Sequence, residues 1–304
     1  MNEPIAYHNH QIIPFSSVSI SPLDAGFVLG TTVAEQLRTF RGKLFRLEDH
    51  LARLMASLEI IGVSIPESAD RLAAIGRELV AHNHALLERG DDLGLGILVT
   101  PGEQSGYGQS DMGPTVILHT YSLPFRLWHE KYERGQALAI PPTRQVPGVC
   151  WPSALKCRSR MHYYLADREA QTMHPGARAL LLDTDGHVTE ASTANVLVFR
   201  ADEGLLSPPH NKVLPGISLA EAVELALQMG QSLTERDLTP EDVRTADEVF
   251  LTSTPLCLLP VVRLDDRNIG SGRPGELFRR LIRSWSDQAG LDIVAQAQQF
   301  ACRP

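Results

Sequence analysis

Apolar and polar positions alternate over residues 4–23 and stop at Ser21-Pro22-Leu23-Asp24, which predicts short strands ending in a turn. TVAEQLRTFRGKLFRL (32–47) predicts a hairpin turning at Arg41-Gly42. The period then changes. In EDHLARLMASLEIIGV, Leu51, Leu54, Met55, Leu58 and Ile61 follow a helical spacing that stops at Gly62. A second helix is predicted from about 66 to 88, then strands at 94–100 and 115–121 around the loop PGEQSGYGQSDMG. These elements make a first domain over 1–121, strands plus a helical pair. Residues 122–133 read as a connector, and 134–304 as a larger second domain.

The second domain opens with a strand near 137–141. A proline-rich loop (Pro141, Pro142, Pro147, Pro152) runs into Lys156, and a helix follows with Met161, Tyr164, Leu165 and Arg168 at three- and four-residue spacing. Strands at 178–183 and 187–190 flank Asp185-Gly186. A strand at 194–199 follows, then a helix after LPGIS with Ser218 near its N-cap. A strand ends in Thr252-Ser253-Thr254, another spans about 258–264, and a closing helix spans about 274–289. The pattern is mixed α+β, without regular βαβ alternation, and neither GxGxxG nor GxxxxGK[ST] is present.

Composition narrows the function. A chain of 304 residues with 43% hydrophobic content has enough apolar mass for two cores. A formal net charge of −8 argues against general nucleic-acid binding. No apolar run of about 18 residues predicts a membrane span, and MNEPIAYHNHQIIPF lacks the features of a signal peptide. Cys150, Cys157, Cys257 and Cys302 lack CxxC spacing, so they read as reduced thiols of a cytoplasmic protein with no metal site.

A few residues carry candidate chemistry. A lysine where a loop meets a helix either stays solvated or loses its proton in a cleft and attacks a carbonyl, as Schiff-base lysines do. Glu190, at a strand end, either faces water or pairs with a protonated pyridine nitrogen. Arg53 lies between Leu51 and Leu54, where an arginine covers the core with its stem or clamps an anion. Gly216-Ile217-Ser218 at a helix start offers free amides to an anion, and Ser253 and Thr254 offer hydroxyls.

Taken in order, these segments resemble one family. Lys156, TEASTANVLVF with Glu190, LPGISLAEAVELA, ADEVFLTST and PVVRLDD are similar to the class IV pyridoxal-phosphate aminotransferases. That family includes branched-chain and D-amino-acid aminotransferases, and its fold also hosts aminodeoxychorismate lyase. GFVLGTTVAEQLRTFRGKLFRLEDHLARLMASLEI resembles the family's N-terminal signature, and the similarity runs from about Ser19 to the last helix. The resemblance implies a two-domain α+β fold with the cofactor site between the domains, and a homodimer. It implies pyridoxal 5'-phosphate held by Lys156, with Glu190 on the ring nitrogen. Arg53, the Gly216, Ile217 and Ser218 turn, Ser253 and Thr254 would hold the phosphate. Leu214 would pack on the ring, and Asn195 would support the loop holding Glu190. The implied reaction moves an amino group between an amino acid, branched-chain among the candidates, and a 2-oxo acid. The alternatives are a lyase releasing pyruvate and 4-aminobenzoate, and a non-catalytic cofactor-binding homologue.

Some positions depart from the family pattern. Ala34 stands where branched-chain enzymes carry an aromatic residue, Met161 where they carry a tyrosine, and Pro255 removes an N–H next to Thr254. The loop SGYGQS and Arg160 are more like the lyase. Arg38 and Tyr107 are the candidates for reading a substrate carboxylate.

Overall fold

The computed structural model describes residues 3–103 and 113–303. The chain divides into two compact units. One holds the described residues up to Leu123 together with Leu155–Ser159; the other holds Pro124–Ala154 and the described residues from Arg160 onward. Among the described residues no helix is long and apolar enough to cross a membrane.

The first unit is a six-stranded sheet backed by two helices. Its strands are β1 (Ile5–His8), β2 (Gln11–Pro14), β3 (Val33–Phe40), β4 (Lys43–Leu44), β5 (Leu93–Thr100) and β6 (Thr115–Ser122), ordered β2-β1-β6-β5-β3-β4 with every pairing antiparallel. A short α1 (Ala25–Val28) precedes β3. Arg41 and Gly42 both take positive φ, 52° and 74°, which matches the turn to the right-handed twist of the β3–β4 hairpin. Helices α2 (Leu47–Ile61) and α3 (Ala69–His84) lay Leu51, Leu54, Leu58, Leu72, Ile75 and Leu79 on the strand face carrying Leu37, Leu95, Ile97 and Leu118. Gly62 closes α2 at φ 68° and returns its N–H to the carbonyls of Leu58 and Glu59, so the predicted stop is a left-handed cap.

The second unit is built on a nine-stranded sheet. Its strands are β7 (Gln136–Ala139), β8 (Arg178–Leu182), β9 (Val188–Ala191), β10 (Ala194–Arg200), β11 (Gly204–Ser207), β12 (Leu233–Glu235), β13 (Glu248–Ser253), β14 (Cys257–Leu264) and β15 (Arg267–Asn268). The order is β12-β11-β10-β13-β14-β7-β8-β9. A further β9–β10 pairing closes a ring of strands, and β15 pairs with β14. Helices α4 (Lys131–Arg134), α5 (Met161–Met173), α6 (Ile217–Gln228), α7 (Pro240–Arg244), α8 (Glu276–Ala289) and α9 (Ile293–Gln299) complete it.

On α5 the buried side chains are Ala166 and Ala170, which with the partly buried Tyr163 pack against Ala139, Ala177, Ala179 and Leu181; Met161, Tyr164 and Leu165 lie exposed. Small residues let the helix approach β7 and β8 closely, so the larger apolar stripe marks a different face. The N-cap of α6 is Gly216, and Ser218, expected near the cap, falls in the first turn.

Candidate active site

Lys156 belongs to the first unit. The segment around it lies alongside β3 as an extra edge: Cys157 bridges to Val33, Ala34 N–H donates to the Lys156 carbonyl at 3.0 Å, and Arg158 N–H donates to the Thr32 carbonyl at 2.8 Å. The Lys156 amide donates to Ser57 Oγ at 3.3 Å, and Ser159 Oγ donates to the Gly30 carbonyl at 2.7 Å. The backbone on both sides of the lysine is therefore fixed on a sheet edge. Its side chain is half-buried.

Next to it lies a buried charge network. Alternation along β3 turns Val33, Glu35 and Leu37 to the face covered by α2, and Glu35 has no exposed surface. Arg53, on α2, donates through Nε to Glu35 Oε1 at 2.7 Å and through Nη2 to Oε2 at 2.9 Å, a bidentate pair. His50 Nδ1 sits 2.7 Å from Glu35 Oε2. Burial alone pushes the Glu35 carboxyl up. The Arg53 and His50 hydrogen bonds, with the charges of Arg53 and Lys156, outweigh it and hold the carboxyl at about 2. Burial lowers His50 against the pull of Glu35, so His50 is read as neutral, with Nδ1–H as the donor. His50 Nε2 is buried and has no hydrogen-bond partner among the described residues.

In the second unit, Glu190, Asn195, Leu214 and Gly216 form one connected set. Glu190 is the residue before the last of β9, directly across from Asn195 on β10. It is buried, and Tyr163 Oη donates to its Oε1 at 2.5 Å, Gln145 Nε2 to the same Oε1 at 2.7 Å, and Leu214 N–H to Oε2 at 3.4 Å. Asn195 Nδ2 donates to the Leu214 carbonyl at 2.9 Å. Its Oδ1 lies 1.9 Å from where a Cβ on Gly216 would stand, so only glycine fits there. Helix α6 starts at that glycine with no side-chain cap and no acidic residue in its first turn, and Ile217 and Ser218 are buried in that turn. Ser253 ends β13, paired with Cys257, and Thr254 and Pro255 lie half-buried in the turn to β14. Thr252 Oγ1, one residue earlier and opposite Asn195, is buried without a hydrogen-bond partner among the described residues.

The two substrate candidates fare differently. Arg38 has no exposed surface; its Nε donates to the Thr39 carbonyl at 3.2 Å and its guanidinium lies 4.2 Å over the Phe40 ring. Tyr107 lies outside the described residues. Glu35, His50, Gln145 and Tyr163 were not singled out from sequence. Two of them leave a signal there: Glu35 is a carboxylate at an inward position of an alternating strand, and His50 precedes Arg53 by three residues, on one helix face.

Residues 32–264 match the family model described as Amino-transferase class IV. The chain is 29% identical over 275 residues to the D-alanine aminotransferase of Bacillus licheniformis, covering 90% of this chain and 93% of that one. Its fold is that of the Escherichia coli branched-chain amino acid aminotransferase, with a TM-score of 0.87 at 23% identity and 94% of each chain covered. A second branched-chain amino acid aminotransferase, from T.th. and solved with pyridoxamine 5'-phosphate, matches with a TM-score of 0.84 at 25% identity, again over 94% of each chain.

Proposed function

This chain belongs to the amino-transferase class IV family, and we propose that it is a pyridoxal-phosphate-dependent enzyme moving an amino group between an amino acid and a 2-oxo acid. The observation that carries the reading is Glu190, a buried carboxylate met by the donors of Tyr163, Gln145 and Leu214. Donors stabilise the ionised carboxylate, the form that pairs with a protonated pyridine nitrogen.

Each unit by itself carries residues whose chemistry suits the cofactor. The first-turn amides of α6, at Ile217 and Ser218, meet no side-chain cap, and Gly216 leaves no Cβ in the approach, as a phosphate site requires. In the first unit Arg53 is a guanidinium held by Glu35, and in the second Thr254, with Ser253 beside it, carries hydroxyls, groups that would suit the phosphate. Leu214 would pack against the ring, and Asn195 holds the Leu214 carbonyl. When bound, pyridoxal phosphate supplies an electron sink for the substrate carbon beside the amino nitrogen. Lys156 Nζ would anchor the cofactor covalently and then carry a proton between substrate and cofactor carbons.

Arg38 is given no substrate role, because a guanidinium without exposed surface does not meet a ligand. Pro255 brings no N–H to the turn after Thr254, so a substrate carboxylate must find its donors elsewhere. The relatives' names direct the choice of donors to D-alanine and the branched-chain amino acids. A homodimer is part of the proposal, supported by Leu23, Phe27 and Leu29 around α1, which are apolar and 59%, 76% and 60% exposed in the single chain. A cytoplasmic setting is part of the proposal, on the cysteine spacing read from the sequence.

The test is the visible spectrum of the purified protein with pyridoxal phosphate. An amino donor added alone is expected to bleach the cofactor band, and a 2-oxo acid to restore it. A band unchanged by D-alanine, branched-chain amino acids and a broad donor panel would overturn amino transfer.

A further inference from the structure

Tyr163 and Gln145 donate to one oxygen of Glu190, Oε1, while the Leu214 amide approaches Oε2 at the longer distance of 3.4 Å. The two side chains are themselves held in place. Tyr163 lies in the first turn of α5, and its ring packs against the alanine-rich core of Ala139, Ala166, Ala170, Ala177 and Ala179. Gln145 donates its backbone N–H to the Leu182 carbonyl at 2.9 Å. Its Oε1 is buried without a hydrogen-bond partner among the described residues, so its amide is committed on the Nε2 side. The tyrosine hydroxyl stays a donor: burial, then the charge of Glu190, push its ionisation well above the ordinary tyrosine range.

We propose that Tyr163 is a positioning residue for Glu190: by holding Oε1 it fixes the carboxylate's orientation and so sets how completely Glu190 keeps the cofactor's ring nitrogen protonated. The proposal rests on the reading of Glu190 given above. A carboxylate anchored at one oxygen cannot turn without breaking a charge-assisted hydrogen bond. A carboxylate that loses a donor is also a better proton acceptor, so a proton shared with the ring moves away from the ring nitrogen. Tyr163 thus acts through Glu190 and touches no reacting atom in this account.

The test uses full-length protein reconstituted with pyridoxal phosphate labelled with nitrogen-15 in the ring. The ring-nitrogen shift is read in wild type, Tyr163→Phe and Glu190→Gln. Tyr163→Phe keeps the ring in its alanine pocket and removes only the hydroxyl. Its signal is expected to move part of the way toward the neutral-pyridine value, and that of Glu190→Gln further. In the same Tyr163→Phe protein kcat is expected to fall about tenfold, the loss of one hydrogen bond to a charged group, with KM for the amino donor changed by less than about twofold. A purely structural role would lower thermal stability and leave the shift where it was. If Glu190→Gln moves the signal and Tyr163→Phe does not, the proposal is wrong and the reading of Glu190 stands. If neither moves it, the Glu190 reading fails and takes the proposal with it. Should Tyr163→Phe take up no cofactor, Tyr163→Met, which also removes the hydroxyl from Oε1, is read in its place. An unmoved signal there, with Glu190→Gln shifted, overturns the proposal equally.

Discussion

Glu35 holds a full charge out of water because Arg53 and His50 replace its solvation. Its carboxyl lies at about 2, below its ordinary 4.5. A carboxyl whose value is depressed on folding contributes stability above the unfolded value and loses it as the pH falls toward the folded one. The contribution of Glu35 is therefore complete above about 4.5 and disappears on the way to about 2. Glu35→Gln is expected to lower the urea midpoint at neutral pH and to approach wild type near pH 2; an equal deficit at both ends would contradict this assignment. Glu35→Ala leaves the Arg53 guanidinium, 10% exposed, without this partner, and about 3–5 kcal/mol of destabilisation is expected. Single residues were legible where the chain itself surrounds them with informative neighbours. Lys156 follows a proline-rich loop, and Glu190 sits in TEASTANVLVF. Glu35 meets partners 15 and 18 residues away and Tyr163 meets Glu190 across 27, pairings that no local pattern states.

The start of α6 shows how an element ties distant residues into one turn. Gly216 sits against Asn195, Asn195 holds Leu214, and Leu214 reaches back to Glu190. Gly216→Ala places a methyl where Asn195 Oδ1 already stands, 1.9 Å away. That substitution is expected to cost about 1–3 kcal/mol and to weaken pyridoxal phosphate binding by more than tenfold, read by cofactor titration of the apoprotein. Wild-type affinity in a folded Gly216→Ala protein would show that this turn does not hold the phosphate. The elements themselves were largely legible: the β3–β4 hairpin and the α2 stop fall where the turn residues put them. The short elements β12, β15, α7 and α9 are not legible, because runs of two to seven residues show too little of a period. The packed face of α5 is not legible from its large apolar residues, because this helix packs through alanines.

At the scale of the whole molecule, the mixed α+β class and the family were legible because several motifs recur in one order along the chain, and the fold agrees with them. The closed ring of strands in the second unit was not legible. It depends on the β9–β10 pairing and on the parallel neighbours of β7, which are set by tertiary packing. Relatives matched over most of this chain carry D-alanine and branched-chain names alike, so substrate choice is not legible at this scale. The central claim is narrower: Lys156 is the residue that anchors pyridoxal phosphate. It is tested by treating the purified protein with pyridoxal phosphate and borohydride, digesting it, and locating the phosphopyridoxyl group, in wild type and in Lys156→Ala. The account predicts the label on the Lys156 peptide of wild type and no label at that place in the variant. A label on another lysine in wild type, or an unchanged labelled peptide in Lys156→Ala, would contradict it.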